Sequence, residues 1–305
     1  ERKGKGKEDP EFMMKYRFNV AMFIYMCLVP VACIMLQAIS SALVYSICND
    51  SSTHLTPYIS FLAYALYIAL FGYGYYKLVK PVDISDDRHK HKLLLFEGEP
   101  VMVPLRFFAI IMCGFLFQAF VTGILYCIQY NFPHVLDDYN RMVADNFAAD
   151  NGFLQVLTVI LLAPVGEELA FRGLGLAFAF NIFSPKTFDF TLKPEEMLRL
   201  WNGEKKDKKI TAPKLVAVIF TALLFGAYHA NVVQFCYAFP MGIIFALMAI
   251  WSNSILPSII LHISINTFSY LMPDIMFNTP VTAYITVTTS FVLLAIALRQ
   301  SYRAL

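Results

Sequence analysis

Long apolar runs dominate this chain, and each is of a length that crosses hydrocarbon. A bilayer core takes roughly 20 residues of helix, and runs of that kind recur from one end of the sequence to the other. They fall at about Phe18 to Ile47, Tyr58 to Val79, Leu105 to Tyr130, Gly152 to Phe183, Pro213 to Val233, Phe235 to Trp251, Leu256 to Met272 and Val281 to Leu298. Hydrocarbon gives backbone N–H and C=O groups no partner, so each run must close its own hydrogen bonds as a helix. Over 305 residues, 58% are hydrophobic and 15% charged, with a mean hydropathy of +0.58. The expectation is an all-α integral membrane protein of about eight transmembrane helices.

Pro30 is expected to kink the first span and Pro213 to open the fifth. Lys15 and Arg17, the Lys77 to Arg106 connection, the Lys186 to Lys214 connection with its basic cluster at Lys205, Lys206, Lys208 and Lys209, and the C-terminal Arg299 and Arg303 fall on one side of eight spans. The Asn131 to Asn151 connection falls opposite, with Asp137, Asp138, Asp145 and Asp150 against Arg141. The positive-inside rule then puts both termini in the cytoplasm. A weakly amphipathic stretch, Leu93 to Val103, is expected along the interface. Glu1 to Phe12 reads as a flexible tail or an added remnant, with the native start at Met13 or Met14 and no cleavable signal peptide. Residues 13–305 read as one polytopic domain, without the internal repeat of many transporters. A net charge of +2 does not point to nucleic acid. The six cysteines form no C-x-x-C pair and lie mostly in apolar runs, so they are expected to pack rather than bridge or cage a metal.

The fourth run is interrupted by Glu167, Glu168 and Arg172. Hydrocarbon charges about 2.5–3.5 kcal/mol or more for each such group, which makes intramembrane ions functional suspects. Glu168 and Arg172 are four apart, on one helical face and in the favourable order. Glu167 points roughly 100° away, so one glutamate is neutralised and the other is left free for proton transfer. His229, late in the fifth span, and His262 with Asn266 on one face of the seventh also do not belong in lipid. Together they suggest a polar cavity between the fourth, fifth and seventh spans, with a catalytic core at about 152–271.

Such a set can hydrolyse an amide. Glu167 would take a proton from water, with His229 holding the water or sharing the proton. His262 and Asn266 could donate to the developing oxyanion. Glu168 and Arg172 would brace the helix, or Arg172 could bind a substrate carboxylate. No cofactor is required as first choice. The alternative is zinc held by Glu167, His229 and His262, although the H-E-x-x-H helix is missing.

The order A-P-x-x-E-E-L-x-F-R-G (Ala163 to Gly173), F-x-x-x-H (Phe225, His229) and H-x-x-x-N (His262, Asn266) resembles the CPBP family, the CAAX-protease and bacteriocin-processing group of membrane endopeptidases. That group includes the type II CAAX prenyl endopeptidases. Gly242 and the run Ser252 to Ser258 also resemble the family's approach to its last motif. The resemblance implies that the first glutamate and first histidine activate water, and that the second histidine and the asparagine form the oxyanion site. It leaves the metal open. The implied partners are a peptide or protein substrate, lipidated or not, and the bilayer. The expected activity is endopeptidase cleavage in a water-filled cavity open to the cytoplasm, serving CAAX-type processing or bacterial peptide maturation or self-immunity. A proton-coupled transporter and a catalytically silent scaffold are the competing readings.

Overall fold

The computed structural model describes residues 16–18, 20–49, 55–79, 102–148, 152–180, 182–185, 212–252, 254–272 and 274–304. The N-terminal tail, most of the stretch expected at the interface and the basic cluster at Lys205 to Lys209 lie outside them. Helix α1 (Val20–Cys48) carries Pro30 within it. Helix α2 (Thr56–Gly74) runs on into a π-helical turn, Tyr75–Val79. Then come α3 (Met102–Asn131), α4 (Asp137–Ala148) and α5 (Gly152–Phe180). Helices α6 (Ala212–Tyr228), α7 (Val232–Ser252), α8 (Leu256–Leu271) and α9 (Pro280–Ala304) complete the bundle. Apart from helices, three residues of β1 (Tyr16–Phe18) pair antiparallel with β2 (Phe183–Pro185).

The all-α membrane architecture holds, but the expected eight full spans do not appear as such. Among the described residues six helices, α1, α2, α3, α5, α7 and α9, are long and apolar enough to cross a membrane. Helices α6 and α8 are apolar but have 17 and 16 residues. Each is stopped by a local feature. After α6 the chain turns at Ala230, in the left-handed region at φ 52°, and Asn231 accepts a hydrogen bond from the Gln234 N–H at 3.0 Å to cap α7. After α8, Met272 is extended at φ −65°, ψ 124°, the conformation favoured before a proline such as Pro273. The acidic Asn131 to Asn151 connection also contains a helix, α4, which hydropathy alone does not reveal. Asp137 and Asp138 in its first turn suit the positive end of the helix dipole.

Contacts fix which helix ends lie together. The Tyr130 hydroxyl donates to the Phe277 carbonyl at 2.5 Å, and Asn231 reaches the Met142 sulfur at 3.8 Å, so the end of α3, α4, the α6–α7 turn and the start of α9 share one side. On the side of the termini, β1 meets β2, Tyr25 packs on Phe178 and Trp251 on Tyr302. That second side is filled by packed apolar groups such as Met26, Leu176, Val218 and Ala246, all buried.

Small residues set the helix spacing, as is usual where lipid offers no hydrophobic drive for association. Helix α3 touches α8 at Gly114, where a Cβ would stand 2.5 Å from the Ser264 Cβ. We predict that Gly114→Ala forces α8 outwards and costs about 1–3 kcal/mol, read as a lower thermal midpoint in detergent. Adding Ser264→Gly should restore much of the loss.

Candidate active site

Helix α5 is not regular, and its irregularity comes from Pro164. A proline has no N–H and excludes the carbonyl four residues back. The ladder widens to a π-helix over Thr158–Leu162, where the Ala163 N–H goes to the Thr158 carbonyl. The Val159 carbonyl therefore loses its α-helical donor to Thr158, and its π-helical donor would be Pro164, which has none. Asn266 on α8 supplies the missing hydrogen, its amide donating to the Val159 carbonyl at 2.8 Å. A second π segment, Leu169–Gly175, follows the glutamate pair. Such π segments often sit at functional sites.

Between the two, the consecutive glutamates do different work. Glu168 is fully buried and Arg172 nearly so, and their side chains approach to 3.1 Å. Arg172 also donates to the Gly242 carbonyl at 3.2 Å. Its guanidinium lies 4.2 Å from the Phe225 ring centre and 5.0 Å from that of Phe245, a favourable place for a desolvated cation. Glycine is needed at 242, because a Cβ there would stand 3.1 Å from Ala222 and 3.2 Å from the guanidinium. The spacing-based pairing of Glu168 with Arg172 is thus present. The suggestion that Arg172 takes a substrate carboxylate does not survive, because the group is enclosed and committed.

His262 joins this cluster. Its Nδ1 lies 3.1 Å from Glu168 Oε1, and its Nε2 faces Glu167 Oε2 at 3.9 Å. An ionised carboxylate only accepts, so Nδ1 carries the proton and the Nε2 edge is turned to Glu167. The ring stacks on Phe245 at 4.7 Å. His229 is oriented by its own helix: Nδ1 is 2.8 Å from the Phe225 carbonyl, which makes it the donor and leaves Nε2 with a lone pair. Phe225 thereby touches Arg172, His229 and His262 at once.

Glu167 is not free, as spacing alone suggests. The Tyr64 hydroxyl on α2 donates to its Oε1 at 2.9 Å. Tyr64 packs edge-on to Tyr67, whose hydroxyl donates to the Cys33 carbonyl at 2.7 Å and lies 2.9 Å from that of Tyr228. Sequence reasoning missed this tyrosine cluster and left the first three spans without a role. The available signal was that a buried tyrosine hydroxyl needs a partner, and Tyr64 and Tyr67 share a helical face.

Glu167, His229, His262 and Asn266 all line one cavity of about 1000 Å³. It is wider than a space between the fourth, fifth and seventh spans, since α1, α2, α3, α4 and α7 also wall it. It lies in the half of the molecule that contains α4, not in the half towards the termini. Packed apolar groups occupy the side of the termini, so the cavity and the termini lie on opposite sides, and a cytoplasmic opening and cytoplasmic termini do not hold together. Among the described residues no group of three His, Cys, Asp or Glu is arranged to hold a metal ion.

Two stability predictions follow from the committed groups. Arg172→Met strands the buried Glu168 and should cost about 3–5 kcal/mol. Asn266→Ala orphans the Val159 carbonyl and should cost about 1–3 kcal/mol. Thermal unfolding in detergent measures both.

Residues 149–268 match the family model described as type II CAAX prenyl endopeptidase Rce1-like. No curated protein and no solved structure matches the chain. The matched stretch contains Glu167, Glu168, Arg172, His229, His262 and Asn266, and through it this multi-pass membrane protein is similar to the type II CAAX prenyl endopeptidases.

Proposed function

We propose that the chain hydrolyses a peptide bond of a membrane-associated peptide or protein by glutamate-activated water, with no metal taking part. The observation that carries this reading is the convergence of Glu167 with both imidazoles and Asn266 on one cavity. Glu167 accepts a proton from water as the oxygen attacks the scissile carbonyl, and then delivers it to the leaving amine. The His229 Nε2 lone pair accepts the water's other hydrogen and aims its oxygen. The second N–H of the Asn266 amide, its first being given to Val159, donates to the oxyanion, and the Nε2 edge of His262 joins it when protonated. Tyr64 holds the Glu167 carboxylate in place, while Glu168 and Arg172 keep His262 in register. CAAX-type tails, lipidated or not, and peptides awaiting maturation are the substrate classes this chemistry serves. Both termini are assigned to the cytoplasm, because basic residues gather in the connections on their side.

Peptide cleavage in detergent tests the mechanism. Glu167→Gln should abolish turnover while leaving the thermal midpoint near that of the wild type. Tyr64→Phe removes a hydrogen bond to a charged group, worth about 1.5–3 kcal/mol, and should slow kcat by roughly 10- to 100-fold. Strong chelators should leave the rate unchanged; loss of activity restored by Zn²⁺ would favour the three-ligand zinc alternative. Undiminished cleavage by Glu167→Gln would refute the assignment. Substrate uptake into proteoliposomes without cleavage would favour a transporter.

A further inference from the structure

Helix α5 lines the cavity with one stripe of residues: Gln155, Thr158, Val159, Ala163 and Glu167. Residues three and four apart share a helical face, and the wider π turn at Thr158–Leu162 carries the stripe on from Thr158 to Ala163. The stripe therefore runs from the first turn of α5 to the carboxylate that activates water. At about 1.5 Å per residue, and less through the π turn, its two ends lie roughly 15–18 Å apart along the axis. An extended peptide rises about 3.3 Å per residue. One laid along α5 with its scissile bond at Glu167 has a peptide group beside Gln155 about five residues away.

Gln155 differs from the rest of the stripe in having an atom with nothing to bind. The residue is 9% exposed, and its Oε1 is closed off from solvent without a hydrogen-bond partner. Among the described residues it is the only such buried side-chain atom that belongs to the cavity wall. The other polar side chains of the stripe are engaged. Thr158 donates its hydroxyl to the Leu154 carbonyl at 2.8 Å, and Glu167 accepts from Tyr64 at 2.9 Å. An unpaired buried amide oxygen is destabilising, whereas an apolar side chain of similar size leaves nothing unpaired. An acceptor kept at that cost in a cavity wall is one that a ligand's N–H can complete.

We infer that Gln155 binds the substrate backbone, its amide oxygen accepting the N–H of a peptide group about five residues from the bond under attack. The inference rests on the peptidase reading of the same cavity and gives the substrate a second point of attachment on α5. Two fixed points on one helix set the register of the chain between them. Since every residue but proline carries a backbone N–H, a contact of this kind reads chain length rather than side-chain identity. In a CAAX-type tail the bond lies close to the carboxyl end, so the segment that reaches Gln155 is the one on its amino side. A tail cut short there leaves the Gln155 oxygen unpaired and is held less tightly.

Two prenylated peptides ending in the same CAAX-type sequence test this, one with two residues and one with eight on the amino side of the cysteine. The wild type should favour the longer by roughly tenfold in kcat/KM, expressed in KM, which is the worth of one buried hydrogen bond. In Gln155→Leu the preference should fall to about twofold or less, with a thermal midpoint in detergent at or above that of the wild type, because an unpaired atom has gone. A preference that survives the substitution overturns the inference. Should Gln155→Leu prove unstable, an ester scan of the longer peptide on the wild type decides. Replacing one amide at a time by an ester, from the third to the seventh residue before the bond, removes a single N–H, and one position should lose roughly tenfold. No sensitive position overturns the inference. Fluorescence anisotropy of the labelled peptides on Glu167→Gln protein reads binding without turnover and should show the same preference for length. Preferential binding of the longer peptide without cleavage by the wild type sinks the peptidase reading and keeps the role of Gln155; cleavage without a length preference does the reverse.

Discussion

A carboxylate and a guanidinium held out of reach of water organise the centre of this molecule. Glu168 and Arg172 sit on α5, but their remaining contacts come from elsewhere: the Gly242 carbonyl and Phe245 on α7, Phe225 on α6 and His262 on α8. Moving two such ions out of water costs several kcal/mol each, which is offset only when geometry is tight and further hydrogen bonds are made. The cluster therefore tolerates little displacement of the four helices it joins. His262 inherits that rigidity, and so does the angle at which its Nε2 edge faces Glu167.

The neighbouring glutamate has the opposite surroundings. One step along the helix turns Glu167 away from the ions and towards a cavity of mixed polar and apolar lining, with a tyrosine hydroxyl on one oxygen. Two residue-type changes from regular helix make this possible. Pro164 opens the ladder and frees a backbone carbonyl, and Asn266 takes that carbonyl from another helix. The same amide thus ties α8 to α5 and keeps one N–H for the cavity. Packing and chemistry here use the same side chains, so substitutions at Asn266 and Arg172 affect both, whereas Glu167 and Tyr64 separate them.

Much of the candidate site was legible because local spacing carried it. The i, i+4 relation of Glu168 to Arg172 and of His262 to Asn266 needs only the pitch of a helix, and ions in an apolar run announce themselves by their cost. The parts that could not be read depend on helices far apart in sequence. Tyr64 lies 103 residues from Glu167, and its own span shows only that it shares a helical face with Tyr67, not what that face meets. Helix α4 was hidden because a polar amphipathic helix and a polar connection have similar composition. The end of α6 was misjudged by hydropathy, which continues past Tyr228 although the backbone turns at Ala230.

Sequence alone determined that this chain lives in a membrane, that its helices carry one buried ion pair and one spare acid, and which histidines and amide belong with them. Those follow from residue types and a fixed helical period. Tertiary structure alone decided that the spare acid has a tyrosine partner, that Arg172 is sealed from any substrate, and which side of the bundle holds the cavity. The physical reason is that a helix's period says which residues share a face, while only packing against other helices says what that face meets and where water can follow.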